Sequence, residues 1–438
     1  MLAIISDLHL TDGSTCDSLD PGAMRQFLHT LATVAESACW RRRPGRDRGV
    51  FDPLERIDLL LLGDILDLMR SEYWQPNGVR PWSAPAALAP TITAITQRIL
   101  QHNDALLAPL RAVGGLLPIT ASDSGRTHFI PLHVHYLVGN HDWPLHLRGD
   151  DWDALRQTVC QAMALSNDPL RPFPHQPAED PTLAALCRAH RLHAEHGDIH
   201  DPVNYQADKG RDHASLGDAI VVEILNQFPR RVREALELPP THPLARAFHE
   251  ADNIRPLLAL PHYLLAASRQ FGTRAEQQKI QQLWTSASQP FLDLPFVHSL
   301  DRPWRLDTVD MLQGFFRFQQ ATPLALQAQL SRFLQRFAQA ESYREAALQA
   351  ARREAVDTVV YGHTHHAELV PLSAEWPDGT LHARRYVNTG TWRRLHAPAM
   401  NADGVFPFMH YHVMTHAFFY KDDERYGRRV ELWQGSLC

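Results

Sequence analysis

Residues 57–67 read IDLLLLGDILD, so that four consecutive leucines lead directly into Gly63 and Asp64. A short apolar run followed by glycine predicts a buried strand over 57–62 with a sharp turn at its end. A carboxylate at that point lies at the edge of the core and needs a strong partner to offset its desolvation. Asp67 lies three residues further on. It is either an acceptor for a metal-ligating histidine or a carboxylate at a helix N-terminus.

Five other short apolar runs end in the same abrupt way. They predict strands over 2–6, 133–138, 191–195, 358–361 and 386–388. The segments between the strands have helical spacing, over 24–38, 85–113, 151–165 and 182–190. Strands that alternate with helices predict an α/β layered fold, with its active groups just beyond the carboxyl ends of the strands.

The pattern changes between about 205 and 345, where helical segments replace strands. The predicted helices lie over 216–228, 254–270, 274–286, 308–318 and 323–350. We therefore predict a discontinuous catalytic domain, residues 1–204 and 346–438, interrupted by a helical insertion or cap, residues 205–345. The tail over 406–433 is predicted to form a hairpin.

The composition excludes several classes of protein. Of the 438 residues, 44% are hydrophobic and 21% are charged, which excludes disorder as the main state. The formal net charge of -6 argues against a protein that binds nucleic acid non-specifically along its length. A local basic patch is still compatible with this charge. The most apolar window, 57–69, contains three aspartates and is too short to span a bilayer, so we expect no transmembrane segment.

The cysteines and the first residues bear on the compartment. The five cysteines are scattered and never spaced C-x-x-C, so neither a disulfide framework nor a cysteine zinc site is expected. The N-terminus has no basic region before its apolar residues, which argues against a signal peptide. These observations predict a reducing, cytoplasmic location. The oligomeric state stays open.

Polar side chains follow five of the predicted strands. They occur as DLH at 7–9, GD at 63–64, GNHD at 139–142, HGD at 196–198 and GHTH at 362–365. Residues i and i+2 of an extended chain point to the same side, so Asp7 with His9, and His363 with His365, are expected to converge. Each cluster alone has an ordinary interpretation as a cap or a turn. Together they offer seven candidate metal ligands: Asp7, His9, Asp64, Asn140, His196, His363 and His365.

This set of donors predicts the kind of metal site. Carboxylate, amide and imidazole ligands without thiolate suit Mn(II), Fe or Zn rather than Ca(II). Seven ligands suit two ions about 4 Å apart with one bridging carboxylate, the arrangement used for phosphoryl hydrolysis. His141 titrates near physiological pH and is a candidate acid or cation, with Asp142 expected to orient its imidazole. Asp198 is a candidate for a hydrogen bond to a metal-ligating residue or for a contact with the substrate.

The ordered set Asp-x-His, Gly-Asp-x-x-Asp, Gly-Asn-His-Asp, His and Gly-His-x-His resembles the calcineurin-like metallophosphoesterase superfamily. The resemblance implies a four-layer α/β/β/α sandwich with two mixed sheets, here carrying a large helical insertion. It implies two divalent metal ions, of which Mn(II) is the first choice. It also implies hydrolysis by attack of a metal-bridging hydroxide, assisted by His141. One ion would be held by Asp7, His9, Asp64 and His365. Asp64 would bridge to the second ion, held also by Asn140, His196 and His363.

The motifs predict a phosphoesterase but leave the substrate open between a phosphomonoester, a phosphodiester and a pyrophosphate. The HGD motif before a helical insertion is similar to the UDP-2,3-diacylglucosamine diphosphatases of lipid A synthesis. Those enzymes are shorter, however, and have arginine where His141 stands. Protein phosphatases and phosphodiesterases that act on small molecules or cyclic nucleotides also stay open. The insertion is the expected source of specificity.

Two further alternatives differ in kind. One is a DNA or RNA nuclease of the same superfamily, with the arginines between 41 and 48 and Arg230, Arg231 and Arg233 as candidate phosphate contacts. The other is a non-catalytic binding or scaffold module. Such a module would be recognised by the loss of a ligand, and all seven are present.

Overall fold

A computed structural model describes residues 1–41, 49–76, 78–255, 259–301, 309–310, 340–376, 382–399 and 408–435. Most of the predicted helix over 308–318 and most of the one over 323–350 lie outside these residues. The arginine-rich stretch after Arg41 also lies outside them, so its proposed contact with phosphates has no structural description.

The regular elements follow the chain order. The described helices are α1 (Ala23–Ala38), α2 (Pro85–His102), α3 (Asp104–Ala112), α4 (Asp150–Met163), α5 (Pro181–Ala189), α6 (Leu216–Ile220), α7 (Gln227–Ala235), α8 (Pro243–His249), α9 (Leu260–Phe271), α10 (Arg274–Leu292), α11 (Pro295–Leu300) and α12 (Ala340–Arg353). The strands are β1 (Leu2–Ile5), β2 (Trp40–Arg41), β3 (Val50–Phe51), β4 (Ile57–Leu62), β5 (Leu116–Thr120), β6 (Thr127–Leu137), β7 (Leu192–Ala194), β8 (Thr358–Tyr361), β9 (Ala367–Glu375), β10 (His382–Thr389), β11 (Arg394–Pro398), β12 (Phe408–His412), β13 (Met414–Phe419) and β14 (Val430–Gly435).

Ten of these strands form two mixed sheets. The larger sheet has the order β14-β13-β1-β4-β6-β5, in which β1, β4 and β6 run parallel. The smaller sheet has the order β7-β8-β10-β9, in which β7, β8 and β10 run parallel. The protein is therefore a mixed α/β fold, as the alternation of strands and helices predicts. The carboxyl ends of five parallel strands lead into the five polar motifs.

Buried apolar side chains connect the two sheets and their helices. Leu2, Ile4 and Leu60 of the larger sheet are fully buried in one cluster with Val360 and Val387 of the smaller sheet. The alternate residues of β1 and β4 point the other way and pack with α1, α2 and α3. Because β4 is covered on both faces, its sequence is a continuous apolar run rather than an alternating one. A third cluster joins α12 to β8 and β10.

Several predicted bounds need correction. The helix predicted over 85–113 is two helices, because the Asn103 side chain donates to the carbonyl oxygens of Ile99 and Thr11 where the chain turns. The helix predicted over 216–228 is interrupted by a π-helical stretch, Val221–Leu225. The tail hairpin is confirmed for β13 and β14, but β12 pairs with β11. None of the helices in the described part of the chain is long and apolar enough to cross a membrane.

Candidate metal centre

The seven candidate ligands, called here the strand-end cluster, lie mostly on unusual backbone. The φ angles are 52° at Asp7, 44° at His9, 53° at Asp64, 66° at His363 and 62° at His365. Residues other than glycine rarely adopt this left-handed conformation, which costs about 1–3 kcal/mol each and persists where the surroundings fix it. The extended backbone predicted to make Asp7 and His9 converge is therefore wrong. The chain turns tightly at each residue instead.

Hydrogen bonds between the segments hold these turns. The backbone N–H of Asp7 donates to the Gly63 carbonyl at 3.1 Å, and that of His9 donates to the Asp64 carbonyl at 2.9 Å. The N–H of His363 donates to the Asp7 carboxylate at 3.0 Å. Three separate motifs are thus joined by hydrogen bonds that their backbone N–H groups donate, which fixes their side chains relative to one another.

One half of the cluster consists of Asp7, His9 and His365, all buried. The Nε2 atoms of the two imidazoles are 3.0 Å apart. Asp7 Oδ1 lies 3.7 Å from His9 Nε2 and 3.5 Å from His365 Nε2. Three donor atoms therefore face one point.

The other half consists of Asp64, His196 and His363, with Asn140 beside them. His196 Nδ1 donates to the Leu62 carbonyl at 3.0 Å, which leaves Nε2 facing Asp64 Oδ2 at 3.1 Å. The His196 and His363 rings meet edge to face with their centroids 5.2 Å apart. Asn140 Oδ1 is buried and has no hydrogen-bond partner among the described residues, as expected of an oxygen kept for a ligand.

Asp64 lies between the two halves. Its Oδ2 is 3.6 Å from His9 Nε2 and 3.1 Å from His196 Nε2, while its Oδ1 accepts from the His141 backbone N–H at 2.8 Å. This close approach needs glycine nearby, because a Cβ at Gly63 would lie 2.5 Å from His196 Nδ1. One carboxylate thus faces both groups of donors.

Asp67 holds two of the histidines from behind. Its Oδ2 contacts His9 Nδ1 at 2.8 Å, and its Oδ1 contacts His141 Nδ1 at 2.7 Å. Burial would raise the pKa of this carboxyl, but the His141 and His9 imidazoles hold it well below its usual range. Asp67 therefore stays ionised and orients both rings, the first of the two interpretations that its position in the sequence allowed.

The expectation that Asp142 orients His141 is corrected. The Asp142 carboxylate accepts from the Tyr136 hydroxyl at 2.6 Å, the Ile65 N–H at 2.8 Å and the Gly139 N–H at 2.5 Å. Burial, together with the nearby Asp64 carboxylate, raises the pKa of Asp142 to about 6. Asp142 therefore fixes the turn that presents Asn140 and His141. The ring of His141 is held by Asp67.

The remaining candidate in these motifs, Asp198, pairs with an arginine. Its Oδ1 accepts from the Arg211 guanidinium at 2.6 Å, and the Asp198 residue is 4% exposed. This contact lies at the start of the insertion, so Asp198 connects the HGD loop to the segment that follows it.

The electrostatics of the cluster favour added positive charge. Burial lowers the pKa of His141, but the carboxylates of Asp67 and Asp64 outweigh it and raise that pKa to about 10. Burial also lowers the pKa of His196, but the carboxylates of Asp64 and Asp7 outweigh it and raise that pKa to about 10. Metal binding supplies positive charge and displaces such protons. The donor set and this charge balance both fit divalent ions.

The cluster opens into a cavity of about 590 Å³ that the insertion helps to line. Arg255 of the insertion lies with Nη2 3.3 Å from His365 Nε2, and Asp201 Oδ2 lies 3.2 Å from His363 Nε2. Asn204 Oδ1 accepts from Asn140 Nδ2 at 3.3 Å. Asp201 and Asn204 lie in the polar loop that follows the HGD motif. Arg255 was missed, because nothing in its local sequence distinguishes it from other arginines.

Comparisons with known proteins add no family. No family model matches this chain, and the search of curated proteins gave no match.

Proposed function

We propose that this chain is a dinuclear-metal-dependent phosphoesterase of the calcineurin-like metallophosphoesterase superfamily. The proposal includes the four-layer α/β/β/α sandwich, which is supported by the three buried clusters that join helices to sheet, sheet to sheet and sheet to helix. In this arrangement the insertion extends from the sandwich and lines the cavity beside the cluster.

The observation that carries the proposal is the division of the donors into two groups around Asp64. Asp7, His9 and His365 form one group, and Asp64, His196 and His363 form another. His9 and Asp64, one from each group, also lie close to His141. These are the two ligand sets that the superfamily resemblance implies, with Asp64 as the bridge and Asn140 added to the second.

Two bound divalent ions would supply Lewis acidity and a water of lowered pKa for attack on phosphorus, and Mn(II) is the ion we favour. The residues of the chain act around them. His141 lines the cavity, and its Nδ1 contact with Asp67 leaves Nε2 for a substrate oxygen. The Asp67 carboxylate at Nδ1 favours the protonated form of His141, which would stabilise charge on the phosphoryl group or donate a proton to the leaving oxygen.

The cavity favours a small phosphoester over duplex nucleic acid. Its volume is in the range of small-molecule sites, and Ile220, Val221 and Leu225 give one wall an apolar surface. Arg255 brings a cation from the insertion into the cavity, beside His365. Arg230 and Arg231, considered above as phosphate contacts, instead bond to Glu234 and Gln227 of their own helix. The nuclease alternative therefore gains no support from these two arginines.

The proposal is tested by hydrolysis of bis(p-nitrophenyl) phosphate and p-nitrophenyl phosphate with added Mn(II), beside an Asp64→Asn variant. We expect turnover in the wild type that chelation abolishes and Mn(II) restores. Asp64→Asn preserves the size of the side chain but removes the bridging charge, so turnover should be lost while the circular dichroism spectrum is unchanged.

The two esters separate the subclasses. Cleavage of the diester would favour a phosphodiesterase, and cleavage of the monoester alone would favour a phosphatase. Turnover that persists in Asp64→Asn would contradict the assignment, as would a rate that ignores chelation.

A further inference from the structure

A second group of potential metal ligands lies outside the strand-end cluster. It consists of His146, His175 and Asp212, called here the loop cluster, whose donor atoms all lie within 4.8 Å of one another. The three residues come from separate segments: His146 ends a short 3₁₀ helix, and His175 and Asp212 lie in loops. None of the seven strand-end residues belongs to this group, and none of the sequence motifs includes it.

The distances suit a small ion. Asp212 Oδ1 lies 2.9 Å from His175 Nε2 and 3.9 Å from His146 Nε2, and the two imidazole rings have centroids 4.3 Å apart. Ligands of a tetrahedral zinc ion at about 2.0–2.2 Å lie about 3.4 Å from one another, between these two values. Small side-chain adjustments would bring all three atoms to bonding distance.

His146 has the hydrogen bond to a carbonyl oxygen that is usual for a metal-ligating histidine. His146 Nδ1 donates to the Phe173 carbonyl at 2.8 Å, which fixes its tautomer and directs the lone pair of Nε2 toward Asp212. His175 is 4% exposed, and its Nδ1 has no hydrogen-bond partner among the described residues. Its backbone N–H donates to Glu179 Oε2 at 2.9 Å, which holds the loop in place.

We propose that His146, His175 and Asp212 bind a third divalent metal ion of the zinc class, which joins the GNHD loop to the start of the insertion. Two imidazoles and one carboxylate are a common ligand set for Zn(II), with water completing the shell. The Asp212 side chain is 46% exposed, so water has access to the remaining positions.

The position of this site gives the ion a structural consequence. His146 ends the short 3₁₀ helix that follows the GNHD motif, and Asp212 lies just before α6. α6 and the π-helical stretch after it line the cavity beside the strand-end cluster. An ion held by both loops would therefore fix the wall of the cavity relative to His141.

The test is the number of Zn(II) ions bound per chain, by elemental analysis after chelation, reloading and gel filtration. Asp212→Asn, His175→Ala and wild type are compared, with His29→Ala as a control because His29 is an exposed histidine on α1. We expect each loop-cluster variant to bind one ion fewer than wild type, or to bind that ion about 100-fold or more weakly. His29→Ala should equal wild type.

The outcome does not depend on the proposed phosphoesterase. If the strand-end cluster bound no metal, the wild type would still hold one ion that the variants lack. Asp212→Asn guards against misfolding of the buried His175→Ala variant, since Asp212 is half-exposed. Equal stoichiometry and equal affinity in wild type and Asp212→Asn would overturn the inference.

Discussion

The strand-end cluster and the loop cluster use the same side-chain chemistry on different backbones. Five of the seven strand-end residues have φ between 44° and 66°, whereas none of the three loop residues does. The strand-end residues are held in strained turns by hydrogen bonds from neighbouring motifs. The comparison indicates that the strand-end site has its ligand geometry in place before an ion binds. The strained backbone lies at the residues whose positions determine that geometry.

The strand-end cluster is also more deeply buried than the loop cluster. Asp64, in the centre of the strand-end cluster, is 1% exposed, whereas the Asp212 side chain is 46% exposed. An exposed carboxylate loses side-chain freedom when it binds an ion, and water competes with it. We therefore expect the loop cluster to hold its ion more weakly than the strand-end cluster holds either of its own.

The largest effect after Asp64→Asn is expected from His141→Ala. Because Asp67 holds Nδ1 of His141 while the ring lies beside His9 and Asp64 in the cavity, its removal should lower kcat about 10²–10⁴-fold. The proposed ligand set does not include His141, so the bound metal should be unchanged. The measurement is kcat for the better of the two esters, with metal content determined on the same sample. His29→Ala serves as the matched control. A normal rate would exclude His141 from the mechanism, and a loss of metal would make it a ligand.

A smaller effect is expected from Arg255→Ala. The Arg255 guanidinium reaches the metal ligands from the insertion, so its loss should lower kcat/KM about 10- to 100-fold, mainly through KM. This range corresponds to the roughly 1.5–3 kcal/mol of a hydrogen bond to a charged group. Arg255→Lys should recover part of the loss.

The matched control for Arg255 is Arg269→Ala, since Arg269 is exposed near the end of α9. Unchanged KM in Arg255→Ala would mean that the insertion covers the cavity without contacting the phosphoryl group. The specificity would then have to be sought in the apolar wall.

The sequence predicted the part of the fold that is set by local pattern. The bounds of β4 and β8 match the prediction because each strand is a short apolar run that ends at a glycine. β9 was missed, since its residues are mostly half-exposed and lack both a continuous apolar run and a strict alternation. The break at Asn103 depends on a side-chain bond to Thr11, which is 92 residues away and invisible to any local pattern.

The site divides in the same way. The ligand candidates could be predicted because each lies within four residues of the end of a strand, where glycine and polar residues mark the turn. The roles of Asp67 and Asp142 could not be assigned, because both follow a site residue at short spacing and only their contacts distinguish them. The loop cluster draws on residues 146, 175 and 212, which share no motif and meet only in the folded chain.

The central claim is that two ions share Asp64, and electron paramagnetic resonance of the Mn(II)-loaded protein tests it most directly. The spectrum is recorded with two equivalents of Mn(II) in an Asp212→Asn background, so that the loop cluster adds no isolated ion. Two ions about 4 Å apart with a bridging carboxylate are exchange-coupled, so we predict a coupled spectrum that Asp64→Asn converts to that of isolated ions. A six-line spectrum of isolated Mn(II) in the protein with Asp64 intact would contradict the account.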